Sequence, residues 1–521
     1  MPDDMSSPRV AGVTIPLFSI RTKSDWGIGQ ITDMPACGAW IVRAGHRLLQ
    51  ILPPYELCAG ETSPYGARTA FGLDPIYITL EAVEDLDSAA IAEVLGAEGL
   101  RQLERVRSSP TVDYKTVRAL KGRVLHHAFE RFHAREWLRG TARADALRAF
   151  VQAEKAWADD LALYVALRDA HEGIGWEQWP EGERERRPES LATAREELRE
   201  RVLEHQYGQW IAHTQWDRAR HELRAMGVEL MGDMPFVVGA ESADVWARAS
   251  QFKRHLSLGA PPDGFTPEGQ DWGLPPYDWE AMDQDNLAWL RARTRHAARL
   301  YDRFRLDHVV GYFRMWVREP GHKGYFDPDG EGAQRVRGER VLGAIIEEAA
   351  PTRVIAEDLG VIPPFVRETM QRLGLPGYRV IPWEKGDDGR FRDPLGFSPS
   401  SVATFSTHDT LPITAWWGEL SEHDRAQLAG ICGIAPSAPD GVRDRALMSK
   451  LLASGSSLSL ALAPELLGEH ARINTPGTVD ETNWTYRLPL PLEDLLKDPG
   501  ANERLAWLNE MAMSTGRAPT L

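Results

Sequence analysis

Short segments with strand character alternate along the chain with longer stretches of helical periodicity. The first two strand segments, 10–18 and 47–52, are separated by the helical-looking stretch 35–44, which predicts a βαβ unit and therefore parallel strands. Eight strands in series, with helices between them, predict an α/β fold: a (β/α)₈ TIM barrel with large, mainly helical insertions. The six remaining predicted strands are 228–233, 301–308, 352–356, 378–382, 402–406 and 458–463.

Two segments interrupt the barrel pattern. From about 81 to 227 the spacing of apolar residues becomes helical, as in Val117, Leu120 and Val124. This spacing predicts a helical insertion whose many charges form a solvated face. From about 258 to 279 the chain is rich in glycine and proline, and its length predicts a functional lid loop. We interpret residues 1–521 as a single domain built on the barrel.

The fourth predicted strand carries its charges on one face. Side chains alternate across a strand, so Phe304 and Leu306 share one face while Arg305 and Asp307 share the other. A nearby cation favours the ionised carboxylate, which is the form that a carboxylate nucleophile requires. Taken alone, the pair also fits a structural ion pair, because buried charges are usually paired.

Acidic residues end four of the predicted strands: Asp233, Asp307, Glu357 and Asp409. In a (β/α)₈ barrel this is the end where catalytic groups gather. Clustered carboxylates serve either to bind a divalent cation or to catalyse glycoside chemistry. A cation is disfavoured by Arg305 and by the absence of a DxDxD run in the sequence. Glycoside chemistry needs an ionised nucleophile, which Asp307 fits, and a protonated acid, which Glu357 fits because apolar residues precede it.

Composition narrows the classes of partner. The 521 residues carry a formal net charge of −16, which argues against nucleic acid or an anionic membrane as the main partner. Three cysteines are too few for a disulfide framework, and neither a signal peptide nor a membrane-spanning apolar run is visible. We therefore expect a cytoplasmic protein. The 18 tryptophans outnumber the 15 phenylalanines, and indole faces suit sugar rings.

The chain resembles the 4-α-glucanotransferases, or amylomaltases, of glycoside hydrolase family 77. The resemblance covers nearly the whole sequence in the expected order, and its lid motif is specific. Thr410 stands where an Asn usually follows the His-Asp pair, and Gly60-Glu61-Thr62 replaces the usual spacing before Ser63. The motifs are SDWGIG at 24–29, SPY at 63–65, GDMPFVV at 232–238, SADVW at 242–246, PPDGF at 261–265, GQDWG at 269–273, FRLDHVVG at 304–311, AEDLG at 356–360, LPG at 375–377, THD at 407–409, RINTPG at 472–477 and NW at 483–484.

The resemblance implies a role for each motif residue. Asp307 would be the nucleophile, Glu357 the general acid/base, and Asp409 the group that grips the hydroxyls of the distorted sugar. Trp272 on the lid would shape the acceptor sites. The same resemblance implies neither cofactor nor metal. Further residues implied to line the sugar site are Tyr65, Asp233, Arg305, His408, Arg472 and Asn474.

The function that follows is transfer of α-1,4-glucan segments by retaining double displacement. Donors and acceptors would be maltooligosaccharides, starch or glycogen, with glucose as a further acceptor. Two alternatives stay open. One is an α-amylase-like retaining hydrolase, in which water is the acceptor. The other is a non-catalytic glucan-binding protein, which the presence of acid, nucleophile and third carboxylate disfavours.

Overall fold

The computed structural model describes residues 8–58, 60–262, 269–478 and 480–518. Its β-strands are β1 (Val10–Thr14), β2 (Leu48–Gln50), β3 (Glu229–Met234), β4 (Ser257–Ala260), β5 (Gln270–Leu274), β6 (Arg303–Leu306), β7 (Met315–Arg318), β8 (Tyr325–Asp327), β9 (Arg353–Ala356), β10 (Gly377–Val380), β11 (Ser401–Thr404) and β12 (Leu458–Leu462). Its α-helices are α1 (Met34–Arg43), α2 (Ser88–Ser108), α3 (Tyr114–Phe132), α4 (Ala142–Ala153), α5 (Ala158–Ala170), α6 (Glu181–Arg184), α7 (Pro188–Glu197), α8 (Arg199–Ala225), α9 (Ala243–Ala247), α10 (Trp279–Gln284), α11 (Ala288–Leu300), α12 (Glu331–Ala349), α13 (Pro364–Arg372), α14 (Ile413–Glu419), α15 (Glu422–Cys432), α16 (Asp440–Ala453), α17 (Ala463–Leu467), α18 (Leu492–Leu495) and α19 (Pro499–Ser514).

Eight parallel strands close a barrel in the order β1-β12-β11-β10-β9-β6-β3-β2. Each of the eight predicted strands is one of them, so the predicted (β/α)₈ fold is confirmed. The barrel closes between β1 and β12, from the pair Val10 and Leu458 to the pair Thr14 and Leu462. The first strand ends earlier than predicted, because Pro16 has no N–H to continue the ladder.

The barrel strands separate two apolar layers. Phe304 and Leu306 are fully buried among the residues that pack the strands against the surrounding helices. A second cluster fills the barrel interior and includes Met231, Ile355 and Leu460. Arg305 lies on the interior face, between Phe304 and Leu306 along β6, as the alternation of side chains predicts. The interior therefore has an apolar layer below the charged side chains near the carboxyl ends of the strands.

Helices α2 to α8 follow one another between β2 and β3, within the segment predicted as a helical insertion. Helices α2, α3 and α4 begin where the side chains of Asp87, Asp113 and Thr141 accept backbone N–H groups. Helix α2 is interrupted by Gly96, which has a φ of 61°. Helix α8 packs on α1 and so attaches these helices to the barrel. The description of 1–521 as one domain stays a prediction.

A second, antiparallel sheet lies outside the barrel, in the order β5-β4-β7-β8. Strands β4 and β5 belong to the segment 258–279 that the sequence predicts to be a lid loop, so much of that segment is a strand pair rather than a loop. Glycine and proline there are typical of turns, yet strand pairing with β7 overrides this local preference. Part of the predicted motif at 261–265, and the chain up to 268, lies outside the described residues.

The last part of the chain returns to its beginning. The Leu488 N–H donates to the Ser19 carbonyl at 2.9 Å. Arg487 forms a fully buried ion pair with Asp25, with both Asp25 oxygens within 2.8 Å of Nη2. These contacts hold the segment that follows Asn474 against the amino-terminal part of the barrel. Within the described residues, no helix is long and apolar enough to cross a membrane.

Candidate active site

Three neighbouring strands bring the predicted site residues together. In the ladder between β3 and β6, Asp233 lies beside Arg305, and in the ladder between β6 and β9, Leu306 lies beside Ala356. Asp307 and Glu357, the next residues along each strand, therefore leave their strands side by side. Parallel strands that end at one level present these side chains at one rim of the barrel.

Arg305 is the centre of the cluster. Its Nη1 lies 2.6 Å from Asp233 Oδ2, and its Nη2 lies 2.8 Å from Asp307 Oδ1. The same Nη2 lies 3.7 Å from Glu357 Oε2. One guanidinium thus faces three carboxyl groups from three strands, so the predicted pair of Arg305 and Asp307 is part of a larger network.

A second chain of contacts joins Asp233 to the strand β11 side of the barrel. The Tyr65 hydroxyl donates to Asp233 Oδ2 at 2.8 Å and lies 3.0 Å from His408 Nε2. Because a phenol has one proton, Tyr65 accepts from His408 Nε2 in this arrangement. The two rings also stack, with centroids 5.5 Å apart. Tyr65 comes from the loop after β2, so long-range folding places it here.

Asp409 is held by the carboxyl-terminal segment. Asn474 Nδ2 donates to Asp409 Oδ1 at 2.7 Å, and Arg472 donates to the Asp409 carbonyl at 2.8 Å. His408 Nε2 lies 3.2 Å from Asp409 Oδ2. The Asp409 side chain nevertheless keeps 41% of its surface exposed. Its carboxylate is therefore fixed in orientation and still open to a bound molecule.

Trp272 lies at the edge of the site, on strand β5. Its ring meets the ring of His308, the residue after Asp307, edge to face with centroids 5.0 Å apart. The indole Nε1 donates to Gln270 Oε1 at 3.0 Å, which fixes the ring. Trp272 is thus placed next to the strand that ends in Asp307.

A family model for 4-alpha-glucanotransferase, glycoside hydrolase family 77, matches residues 15–492. The chain belongs to the 4-alpha-glucanotransferase family. It is 30% identical over 509 residues to the 4-alpha-glucanotransferase of Chlamydia caviae, and the aligned region covers 95% of this chain and 93% of that protein. It is 31% identical over 497 residues to the 4-alpha-glucanotransferase of Thermus thermophilus, with 92% and 93% covered. The predicted class of glycosyl-transferring enzyme is confirmed.

A solved structure agrees with this membership. The amylomaltase from Streptococcus agalactiae in complex with acarbose superposes with a TM-score of 0.84 at 25% identity. The match covers 98% of this chain and all of that one. The two chains therefore share one fold along nearly their whole length.

Burial gives the carboxyl groups of this glucanotransferase different acidities. Burial raises the pKa of Glu357 to about 8; Arg305 opposes the shift and Asp307 adds to it. Burial also raises the pKa of Asp233, against the effect of Arg305. Burial acts in the same direction on Asp409, but His408 and Asn474 outweigh it and lower the pKa of Asp409 to about 2. At a pH between these two values, Glu357 is therefore protonated while Asp409 is ionised.

Two backbone N–H groups fix the Glu357 carboxyl. The N–H of His308 donates to Oε2 at 2.8 Å, and the N–H of Leu359 donates to Oε1 at 2.9 Å. His308 has a φ of 47°, in the left-handed region, and this turn directs its N–H toward Glu357. Burial lowers the pKa of His308 to about 4, so its ring is neutral at pH 7.

Sequence reasoning missed a polar bridge beneath these residues. Gln50 donates to the Tyr378 hydroxyl at 3.3 Å, across the barrel interior, and Thr14 donates to Gln50 at 2.6 Å. Strands β2 and β10 are opposite each other in the ring, so the bridge spans the barrel. A polar residue at an interior position of a strand was the available signal, as Gln50 follows Leu48 by two residues.

The carboxyl groups at this rim surround a guanidinium. Among the described residues, no group of three or more His, Cys, Asp and Glu side chains is arranged to hold a metal ion. Arg305 lies between the carboxyl groups of three strands, and it contacts each of them within 3.7 Å. The arrangement is suited to glycoside chemistry, in which one carboxyl group is ionised and another protonated.

Proposed function

We propose that the chain transfers α-1,4-glucan segments by double displacement, with Asp307 as nucleophile and Glu357 as general acid/base. The observation that carries this proposal is the shared contact with Arg305 Nη2, at 2.8 Å from Asp307 and 3.7 Å from Glu357. Their two contacting oxygens cannot be farther apart than the sum of these distances. Inverting enzymes hold their two carboxyl groups roughly 6.5 Å or more apart, and retaining enzymes about 5 to 5.5 Å. The limit found here therefore favours a retaining pair.

The reaction has two steps. Glu357 gives its proton to the glycosidic oxygen while an Asp307 oxygen attacks the anomeric carbon, which forms a glycosyl ester and releases the leaving sugar. Glu357, now ionised, removes the proton of an acceptor hydroxyl, whose oxygen displaces Asp307 from the anomeric carbon. The raised pKa of Glu357 supports the first step. The contact with Arg305 supports an ionised Asp307 in the same step.

The remaining polar residues would bind the sugar at the reacting carbon. Asp409, oriented by Asn474 and partly exposed, is suited to accept hydrogen bonds from sugar hydroxyls. A hydrogen-bonded series supports the same subsite from one side; its members are Asp233, Tyr65 and His408. Trp272 provides an aromatic face beside Asp307, where an acceptor sugar can stack.

Partners and location follow from the same proposal. The substrates are maltooligosaccharides and starch- or glycogen-type glucans, with glucose as a further acceptor. The proposal requires no cofactor and a cytoplasmic location, and the charge of −16 disfavours nucleic acid or an anionic membrane as a partner. Exhaustive chelation should leave the rate of transfer unchanged.

The pattern of products from maltotriose tests the proposal. Exchange of one α-1,4 bond for another is nearly isoenergetic, so transfer must prevail over hydrolysis by holding the acceptor and excluding water. Maltotriose should yield glucose and a ladder of longer maltooligosaccharides, with a nearly constant number of reducing ends. Trp272→Ala should raise the hydrolytic share, while exposed Trp383, also on the carboxyl side of the barrel, is available for a matched Trp383→Ala comparison. Reducing ends that rise in step with maltotriose consumption would identify a hydrolase.

A further inference from the structure

A cavity opens at the amino-terminal end of the barrel, opposite the candidate active site. Its volume is about 540 Å³. Its opening lies between β9 and β10. These strands share a single residue pair, which joins Ala356 at the end of β9 to Gly377 at the start of β10. Below that pair the barrel wall is open and the cavity reaches interior residues. Its lining includes Arg303, Arg353, Ile355, Ser398, Ser457 and Leu458.

Four arginines stand at, or directly before, the first residue of a barrel strand, and two of them have a structural role that accounts for them. Arg9 donates to the carbonyls of Leu452 and Ser454, at the end of α16. Arg47 donates to the carbonyl of Val42, at the end of α1. Cations at helix carboxyl ends satisfy unpaired carbonyls and the helix dipole. Arg9 and Arg47 therefore need no further partner.

Arg303 and Arg353, the two that line the cavity, are different. They are the first residues of β6 and β9 and lie side by side in the ladder between these strands. Both share the interior face with Arg305 and Ile355, because residues two apart on a strand point the same way. Neighbouring strands are about 4.8 Å apart, so two cationic side chains start from adjacent positions.

The charge of this pair is only partly compensated. Arg303 Nε donates to Glu229, whose side chain is 43% exposed. Within the described ranges, neither Nη of Arg303 and no side-chain nitrogen of Arg353 makes a hydrogen bond or an ion pair. Arg303 is nonetheless 95% buried in the fold. The unused donors of Arg303 open onto the cavity beside the exposed side chain of Arg353, so an anion from solution can reach both guanidinium groups.

We propose that Arg303 and Arg353 form a binding site for a phosphate-bearing small molecule. Two guanidinium groups offer the planar, paired donors that phosphate oxygens accept best. Ser398 and Ser457 line the same cavity, and Ile355 and Leu458 give it an apolar wall for a carbon skeleton. The net charge of −16 repels free anions, so retention at this place depends on the local pair.

Isothermal titration calorimetry with inorganic phosphate, in a buffer without other oxyanions, tests the site. The wild-type chain should bind one phosphate saturably, and Arg353→Gln should weaken binding by about tenfold or more, since a charge-assisted contact is lost. Arg353 has no partner among the described residues, so this variant should fold normally. Arg390 is also an exposed arginine and lies beyond the carboxyl end of β10, so Arg390→Gln should bind phosphate like the wild type.

A second variant and a competition experiment complete the test. Arg303→Lys keeps the charge but loses the planar fork, and it should also weaken phosphate binding by about tenfold. Saturating maltotriose should leave phosphate binding unchanged, because the two sites lie at opposite ends of the barrel. Unchanged affinity in both arginine variants, or loss of binding with maltotriose present, would overturn the proposal. These readouts measure binding alone, so they do not depend on the proposed reaction.

Discussion

Strand β6 carries two interior arginines, two residues apart, and their surroundings are opposite. Arg305, at the carboxyl end, lies within 3.7 Å of Asp233, Asp307 and Glu357. Arg303, at the amino end, has Glu229 alone as a carboxylate partner in the described chain, and Arg353 lies beside it. One end of the barrel thus has more carboxyl groups than cations, and the other has more cations than carboxyl groups.

The difference shows how an excess of one charge sets function. At the carboxyl end one guanidinium faces three carboxyl groups, and burial raises the pKa of Glu357 to about 8, in keeping with its proposed role as the acid. At the amino end an excess cation cannot lose its proton, because arginine remains charged at any physiological pH. In the proposed site an added anion balances it. In the two proposals made above, excess carboxylate serves acid catalysis and excess arginine serves anion binding.

The largest expected effect is loss of the nucleophile. Asp307→Asn should lower the rate of maltotriose disproportionation by about 10⁴-fold or more, because an amide cannot form the glycosyl ester. Glu229→Gln removes a carboxylate from the other end of the barrel and should leave the rate within about twofold. Initial rates and thermal unfolding of both variants check this. Equal rates in wild type and Asp307→Asn would refute the assignment.

The second prediction separates the two carboxyl groups that share Arg305. Glu357→Gln should slow transfer from maltotriose by about 10²- to 10⁴-fold, because the leaving sugar no longer receives a proton. With α-glucosyl fluoride, whose leaving group needs no proton, glycosylation should persist. Release of fluoride measures this step directly. If both donors lose activity equally while the fold is intact, Glu357 is not the acid.

The third prediction compares the same substitution at the two ends of β6. Arg305→Met should lower the free energy of unfolding by about 3 to 5 kcal/mol at pH 8, because it leaves the fully buried Asp233 without a cation. Arg303→Met should cost less than about 1 kcal/mol, since Glu229 is half-exposed. The first loss should shrink at pH 5. Burial already raises the pKa of Asp233, so this group takes up a proton as the pH falls and no longer needs a cation.

Guanidinium chloride unfolding at both pH values measures these losses. Equal losses of stability for the two methionine variants would show that the two ends do not differ in charge compensation. A loss for Arg305→Met that does not change with pH would place its cause in packing rather than in the buried carboxyl group.

The smallest effect concerns pH. The acid must be protonated in the first step, and Glu357 has a pKa of about 8 in the free enzyme, so kcat/KM should decline about tenfold per pH unit above that value. Arg353→Gln, at the far end, should show the same profile. Initial rates between pH 6 and 10 provide the measurement. A flat profile up to pH 10 would contradict the raised pKa.

The sequence pattern predicted the barrel well, because side-chain alternation and strand ends depend only on residues close together in the chain. Alternation along β6 correctly placed Arg305 inside and Phe304 outside, and the ends of four strands located the carboxyl groups. The contact of Tyr65 with His408 joins parts of the chain 343 residues apart, and no periodicity reports such a contact. Family resemblance, rather than pattern, supplied those residues.

The antiparallel sheet and the arginine pair were missed for physical reasons. Strand β5 contains Gly273, which has a φ of 65°, and it follows Gly269 with a φ of 71°, so its composition is that of a turn. Its strand character comes from pairing with β4, a tertiary effect. Arg303 and Arg353 are 50 residues apart, and only the register of β6 against β9 makes them neighbours.

The barrel closes by pairing of β1 with β12, so it cannot close until β12 has been synthesised. Strand β1 leaves the ribosome long before its partner β12, which follows only when residues 458–462 have been added. At about 5 to 20 residues per second, that interval lasts tens of seconds. During this time one edge of β1 has no partner and can pair with another nascent chain. Expression at lower temperature or with holdase chaperones should therefore act on this open edge.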